Sequence, residues 1–317
     1  MTKTVVAGRY GGPEVLELHD IVLPQPGAGQ VLIDVKAAGA NQIDYKLYSG
    51  YLGTDPAALP VPVGLEVCGV VAAVVAGTIG FTGPLNVGDA VIAAGVRGGY
   101  SERLIADAAN VGRKPANLSF EQAAGLLVAG ATAWHLLTAT KVDAGDTVLI
   151  HGAAGGVGLI AVQLAVMRGA KVIGTASAGM HDLLRGYRAA PVEYGAGLAD
   201  RVRAIGPVDV ALDLVGADEA LDTSVELVAD RERIATIAGF ARTAELGILA
   251  LSGADGGAEI RVASFPRLVK LAADGKLEVT VDRVFPFEEA AQAHRYLQTG
   301  HAHGKVILVP FLRSSGQ

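Results

Sequence analysis

The sequence predicts an α/β protein in two domains, a mostly-β unit and a doubly wound parallel sheet. Three observations carry this expectation. The chain has 317 residues, more than one hydrophobic core usually holds. Apolar residues make up 51% and aromatics only 5%, so Gly, Ala and Val dominate, the material of helices packed tightly on a parallel sheet. The texture also changes along the chain. Up to about Leu118, short apolar runs are broken by Gly and Pro; from about Glu121, strand and helix patterns alternate.

In the first stretch, residues 31–35, 67–75 and 90–94 read as strands. Turn signals such as Pro24-Gln25-Pro26-Gly27 and Asn86-Val87-Gly88-Asp89 separate them. In the second stretch the expected strands are 147–151, 171–175, 192–194, 208–214 and 233–238. Helices are expected over 157–168, 180–189 and 219–228 between them, and this alternation argues for a parallel sheet with helices on both faces. A helix over 266–273, a strand over 279–284, a second helix over 288–297 and a last strand over 305–309 are expected to return to the first domain. Residues 313–317 read as a frayed tail.

Several function classes are disfavoured. The net charge is -6, with neither sign in a long block, which gives nucleic acid no attractive surface. The most apolar stretches, 67–76 and 123–137, are too short or too interrupted by Gly, Thr and His to cross a bilayer. No signal-peptide core follows Met1. The single cysteine, Cys68, forms no intrachain disulfide and no cysteine-rich zinc site. A cytoplasmic setting is expected.

The most informative segment is Gly152-Ala153-Ala154-Gly155-Gly156-Val157-Gly158, between an expected strand and an expected helix. That is the context a dinucleotide-binding (Rossmann) fingerprint requires. Without Cβ atoms, Gly155 and Gly156 allow a pyrophosphate to approach the backbone, and Gly158 lets the helix pack on the sheet. The helix N-terminus offers free N–H groups to phosphate. Ala153 departs from the strict G-x-G-x-x-G form. At the end of the second strand, where an acidic residue would hold the ribose 2′-hydroxyl of NAD, the chain reads Gly174-Thr175-Ala176-Ser177-Ala178. No carboxylate there opposes a 2′-phosphate. Ser177 offers a hydrogen bond, and His181 or Arg185 a positive charge, so NADPH is favoured over NADH.

Collinear landmarks then identify a resemblance. They are residues 8–16 (GRYGGPEVL), 37–44 (AAGANQID), 62–71 (PVGLEVCGVV), 87–91 (VGDAV), 98–102 (GGYSE), 131–134 (ATAW), the glycine loop, and 304–308 (GKVIL). In this order, over nearly the whole chain, they resemble the zinc-independent medium-chain dehydrogenases/reductases of the quinone oxidoreductase, or zeta-crystallin-like, type. The resemblance implies a GroES-like catalytic domain at 1–122 and 265–317 and a Rossmann domain at 123–264, with the active site in the cleft between them. Zinc-dependent relatives place a ligand Cys where this chain has Asn41 and a ligand His where it has Leu65. Glu66 alone remains, so no metal site is expected, and His301-Ala302-His303 reads as a solvent-exposed loop.

By the same resemblance, Asn41 lines the nicotinamide and substrate cleft as a hydrogen-bond donor to the acceptor, and Asp44 organises that loop. Tyr51 matches, in uncertain register, a tyrosine that donates a proton in enoyl reductases; with Tyr45 and Tyr48 it reads equally well as a packing group. Thr132, Ala154, Gly155, Gly156, Val157, Ser177, His181, Tyr194, Gly216, Gly239 and Phe240 are the implied cofactor contacts. His181 stands where the family often has Lys. His135, His151 and Cys68 read as packed interior residues. The implied activity is reduction of a quinone or an activated alkene, a small electrophilic substrate, by NADPH without zinc. An enoyl-thioester reductase and a non-catalytic NADP-binding structural or sensor protein remain as alternatives. A homodimer is implied, paired through the sheet edge at a strand near 259–263.

Overall fold

The computed structural model describes residues 1–254 and 256–310; the tail expected at 313–317 lies outside them. The chain forms two compact units, Met1–Val128 with the chain from Phe265 onward, and Ala129–Ser264. These boundaries fall inside two helices, Leu127–Ala139 and Gly257–Ala273.

The first unit is mostly β. Its larger sheet runs Val111–Arg113, Ala90–Ala94, Glu66–Val74, Gln30–Ala40, Lys305–Val309 and Val281–Pro286, with Arg103–Asp107 also paired to Gln30–Ala40. All pairs are antiparallel except the last two strands in that order, which run parallel. A smaller sheet has Thr2–Ala7 between Leu16–Ile21 and Val61–Pro62. The core is Val, Ile, Leu and Ala from both, closed by Tyr48, Tyr100 and Phe287.

The register of the long strand Gln30–Ala40 positions the chemistry that follows. Gly39 pairs with Glu66 on one side and with Ile307 on the other. Strand pairing thus brings residues 41, 66 and 305 to one end of the sheet, although the sequence separates the outer two by 264 positions.

The second unit holds a six-stranded, all-parallel sheet in the order Ala189–Val192, Lys171–Thr175, Thr147–His151, Val210–Asp213, Ile234–Thr236 and Leu249–Ala250. Numbered within the unit this is 3-2-1-4-5-6, the Rossmann order, whose ligand crevice opens between the first and fourth strands at their C-terminal ends. The helix Gly156–Met167 is buried continuously from Gly158 to Ala165, as a sequence apolar on every side except at Gln163 requires.

Two expectations are corrected. The third strand is Ala189–Val192, not 192–194. The helix expected to run to 189 ends at Gly186, and pairing with Lys171–Thr175 fixes Ala189–Val192 as an edge strand despite its small residues and Pro191. No strand forms at 259–263; those residues lie in the helix Gly257–Ala273. Alternation of Ile260 and Val262 imitates a strand, yet burial recurs at Ser264, Phe265, Leu268, Val269 and Ala272, the helical period. The sixth strand is instead Leu249–Ala250, so the sheet-edge pairing inferred for 259–263 has no strand to use.

Candidate active site

In the second unit, the implied cofactor residues gather at one end of the sheet. Gly152–Val157 follow the first strand, Ser177 and His181 the second, Tyr194 the third, Gly216 the fourth, and Gly239 and Phe240 the fifth. Thr132 lies apart, buried in the helix Leu127–Ala139.

The glycine loop is built around two close approaches. Gly152 has φ +72°, and a Cβ at Gly158 would lie 2.2 Å from the Gly152 carbonyl oxygen. The loop therefore folds back onto its own helix only with glycine there. Gly155 differs: a Cβ would meet only that same oxygen, at 3.5 Å, leaving its outer side open. Gly155 caps the helix without a side-chain bond. The first-turn N–H groups of Gly156 and Val157 have no intrahelical acceptor.

The loops after the fourth and fifth strands are held by two residues with no role assigned from sequence, Asp213 and Thr236. The fully buried Asp213 accepts from the backbone of Val215 (3.0 Å) and Gly216 (2.9 Å) and from Thr236 Oγ1 (2.5 Å). Thr236 Oγ1 in turn accepts from the N–H groups of Ala238 and Gly239, at 3.0 and 2.8 Å. Their signal was an acidic residue ending an apolar strand (Asp213) and a hydroxyl ending the next (Thr236).

The 2′-phosphate candidates are mixed. Ser177 and His181 are half-buried, and the His181 ring lies 3.4 Å from the Ala176 carbonyl oxygen. Arg185 is paired with Asp182 at 2.6 Å on the surface, so its charge is already partly answered. Tyr194 is 55% exposed. Beside it, Arg201 ties down the carbonyls of Glu193, Gly195 and Ala196. His151 is buried against Ser224 Oγ at 3.1 Å, and burial pulls its pKa down to about 4.

In the first unit, Asn41 caps the short helix Gln42–Tyr48, and its backbone N–H donates to Asp44 Oδ2 at 2.8 Å. Its side chain turns the other way. Nδ2 donates to Glu66 Oε1 (3.0 Å) and to the Gly39 carbonyl (3.3 Å), and Oδ1 accepts from Lys305 Nζ at 2.5 Å. Lys305 Nζ also donates to Glu66 Oε1 (2.9 Å) and the Ala40 carbonyl (3.3 Å). Glu66 Oε2 accepts from the Val128 backbone at 2.9 Å. Lys305 and Glu66 are 4% and 1% exposed, whereas Asn41 is half-buried. Every hydrogen of the Asn41 amide is thus engaged, a qualification to its expected role as a free donor. No role for Lys305 is legible in the sequence; it sits in the GKVIL landmark without signalling its partner.

Asp44 anchors a second buried chain. Tyr100 Oη donates to Asp44 Oδ2 at 3.0 Å and lies 3.0 Å from His294 Nε2, while Tyr48 Oη lies 2.6 Å from His294 Nδ1. When Asp44 is ionised, the single Tyr100 proton goes to it. The ring N–H then sits on Nε2, and Nδ1 accepts from Tyr48. Burial pushes the Asp44 pKa up to about 7, against the lowering effect of the Asn41 N–H and the Tyr100 hydroxyl. Burial pulls His294 down to about 4. Asp44 Oδ1 is buried with no partner among the described residues. Tyr51 lies outside this network: it is 57% exposed, with Lys46 Nζ 4.9 Å above its ring.

The described residues contain no group of three or more His, Cys, Asp or Glu that could hold a metal ion. Glu66, the one carboxylate at the expected position, already faces an ammonium.

Comparison with known proteins gives the family. Residues 27–116 match the alcohol dehydrogenase GroES-like domain, and residues 179–308 match the zinc-binding dehydrogenase domain. A quinone oxidoreductase of Pseudomonas aeruginosa is 33% identical over 98% of this chain and 100% of its own length. The chloroplastic NADPH-dependent alkenal/one oxidoreductase of Arabidopsis thaliana is 32% identical over 97% of this chain and 79% of its own. The structure of Escherichia coli quinone oxidoreductase complexed with NADPH superposes with a TM-score of 0.82 at 28% identity, covering 98% of this chain and 100% of that one. The chain belongs to the medium-chain dehydrogenase/reductase family.

Proposed function

We propose that this chain is an NADPH-dependent oxidoreductase that reduces a quinone or a carbonyl-conjugated alkene without zinc. NADPH supplies the hydride. The protein's part is to bind it, to orient the acceptor and to stabilise the negative charge that develops on the acceptor oxygen. The first-turn N–H groups of Gly156 and Val157 would hold the pyrophosphate. Gly216 and Gly239, braced by Asp213 and Thr236, would let backbone approach the cofactor closely. The absence of any carboxylate from residues 174–178 favours the 2′-phosphate.

The observation that carries the zinc-free reading is the pairing of Glu66 with Lys305 at 2.9 Å. An ammonium occupies the carboxylate that a metal would need, and Asn41 and Leu65 stand where ligands would be. Without a metal to stabilise an alkoxide, the fitting acceptors are already electron-poor. Relatives named quinone oxidoreductase and alkenal/one oxidoreductase support both acceptor classes.

The test is consumption of NADPH with a benzoquinone and with an alkenone, before and after dialysis against a chelator, alongside metal analysis. The reading requires turnover with at least one acceptor and no loss on dialysis. Stoichiometric zinc, or activity that returns only with added metal, rules it out. A homodimer in the cytoplasm is proposed from the resemblance, and sedimentation velocity tests the dimer. Among the described residues no helix is long and apolar enough to cross a membrane.

A further inference from the structure

We propose that Lys305 is a positioning residue: its buried ammonium locks and polarises the Asn41 carboxamide as the donor that meets the acceptor oxygen. This deepens the reductase reading and rests on it for the identity of the acceptor.

A buried lysine needs its charge answered, and Glu66 answers it. An ion pair that served only the fold would need no third member. Yet the shortest contact of Lys305 Nζ is to Asn41 Oδ1, at 2.5 Å, not to Glu66 Oε1 at 2.9 Å. A cation on the amide oxygen draws density from the amide and strengthens its N–H groups as donors. Of those two, the one to Glu66 is firm at 3.0 Å, and the one to the Gly39 carbonyl is long at 3.3 Å. The long one is the hydrogen a substrate oxygen can take.

Burial points the same way. Lys305 and Glu66 are sealed, and only Asn41 of the three reaches solvent. The positive charge therefore reaches the surface through the carboxamide. The strand is shaped for this. A Cβ at Gly39 would lie 2.4 Å from Glu66 Oε1 and 2.3 Å from the Ala124 carbonyl oxygen, so only glycine leaves room for the carboxylate beneath Asn41.

The test uses the full-length protein and three variants: Lys305→Arg, Lys305→Met, and the neutral pair Lys305→Met/Glu66→Gln, which avoids stranding a buried carboxylate. Two readouts are taken: kcat and KM with an alkenone, and the Asn41 side-chain amide resonances, assigned by their loss in Asn41→Ala. In the neutral pair, kcat is expected to fall on the order of tenfold to a hundredfold. KM and NADPH affinity should stay close to wild type, and the Asn41 resonances should move upfield. Lys305→Arg keeps the cation and should recover part of both. An unchanged kcat in the neutral pair, a loss confined to KM, or unmoved Asn41 resonances overturns the proposal. If the neutral pair does not fold, Lys305→Arg decides: wild-type kcat with displaced Asn41 resonances overturns it, and parallel partial changes support it. A wild-type protein that turns over no acceptor sinks the reductase reading instead, and the resonances still judge the positioning.

Discussion

Two glycines in one loop have opposite tolerances. At Gly158 a methyl would strike the Gly152 carbonyl, whereas at Gly155 it would find room. Gly155→Asp is therefore expected to fold, and the new carboxylate at the N-cap should keep or raise helix stability by about 0.5–1 kcal/mol. The same carboxylate stands where the pyrophosphate must bind. NADPH affinity should drop by on the order of a hundredfold or more, from charge repulsion and lost N–H contacts. Fluorescence titration and thermal unfolding of one sample read both quantities; wild-type affinity in the folded variant would remove the loop from the cofactor site. Asp44 makes a second prediction at this scale. Its folded pKa, about 7, is raised above the ordinary 3.8. The unfolded chain thus loses that proton at lower pH than the folded one, so Asp44 costs stability progressively as pH rises from about 4 to about 7. His294, held neutral by burial, acts oppositely: its folded pKa is lowered to about 4, so stability is lost as pH falls from its ordinary 6.5. Asp44→Asn removes the first effect only. Its stability relative to wild type should rise between pH 4 and pH 7, by about 4 kcal/mol at most, and then level off. Denaturant titrations across that range check the slope; a difference independent of pH would mean that Asp44 is ionised throughout.

At the scale of elements, the strands that carry their own pattern were legible and those held by neighbours were not. Thr147–His151 and Lys171–Thr175 are β-branched and apolar runs bounded by turns, and they form as read. Ala189–Val192 and Leu249–Ala250 are short and weakly patterned; they become strands only by pairing at the two edges of the sheet. Only the first part of the helix over 257–273 hid behind a local alternation, because a few residues of period two cannot outweigh a buried face that repeats every three to four. The loop ends of the fourth and fifth strands show what such edges depend on. Thr236 is fully buried, donates to Asp213, and accepts from Ala238 and Gly239. Thr236→Val preserves shape and strand preference but orphans two N–H groups and leaves Asp213 Oδ2 with the Gly216 N–H at 3.1 Å in place of two donors. A loss of about 1–3 kcal/mol in unfolding free energy is expected, with weaker NADPH binding if these loops hold the cofactor as proposed. A stability within a few tenths of a kcal/mol of wild type would show that water replaces the hydroxyl.

For the whole molecule, the first unit is discontinuous in sequence: its last sheet strands come from the C-terminal end of the chain. The landmarks announced that return, since GKVIL stands apart from the preceding helical pattern. What they did not announce was the meeting of Asn41, Glu66 and Lys305, because register across 264 positions is a property of pairing and not of any local run. The same holds for Asp44, Tyr100 and His294, which come from three distant segments. The glycine loop, by contrast, lies within seven consecutive residues, and its place between a strand and a helix was read directly. A ligand that binds the folded chain alone stabilises it by mass action, by about 2.7 kcal/mol at a hundred times its dissociation constant. NADPH should therefore raise the unfolding temperature in steps proportional to the logarithm of its concentration. NADH should raise it less at equal concentration, because only NADPH offers a phosphate to the Ser177 and His181 side. Equal shifts with the two cofactors would move the 2′-phosphate away from these residues and return the cofactor choice to the remaining loops of the sheet's C-terminal edge.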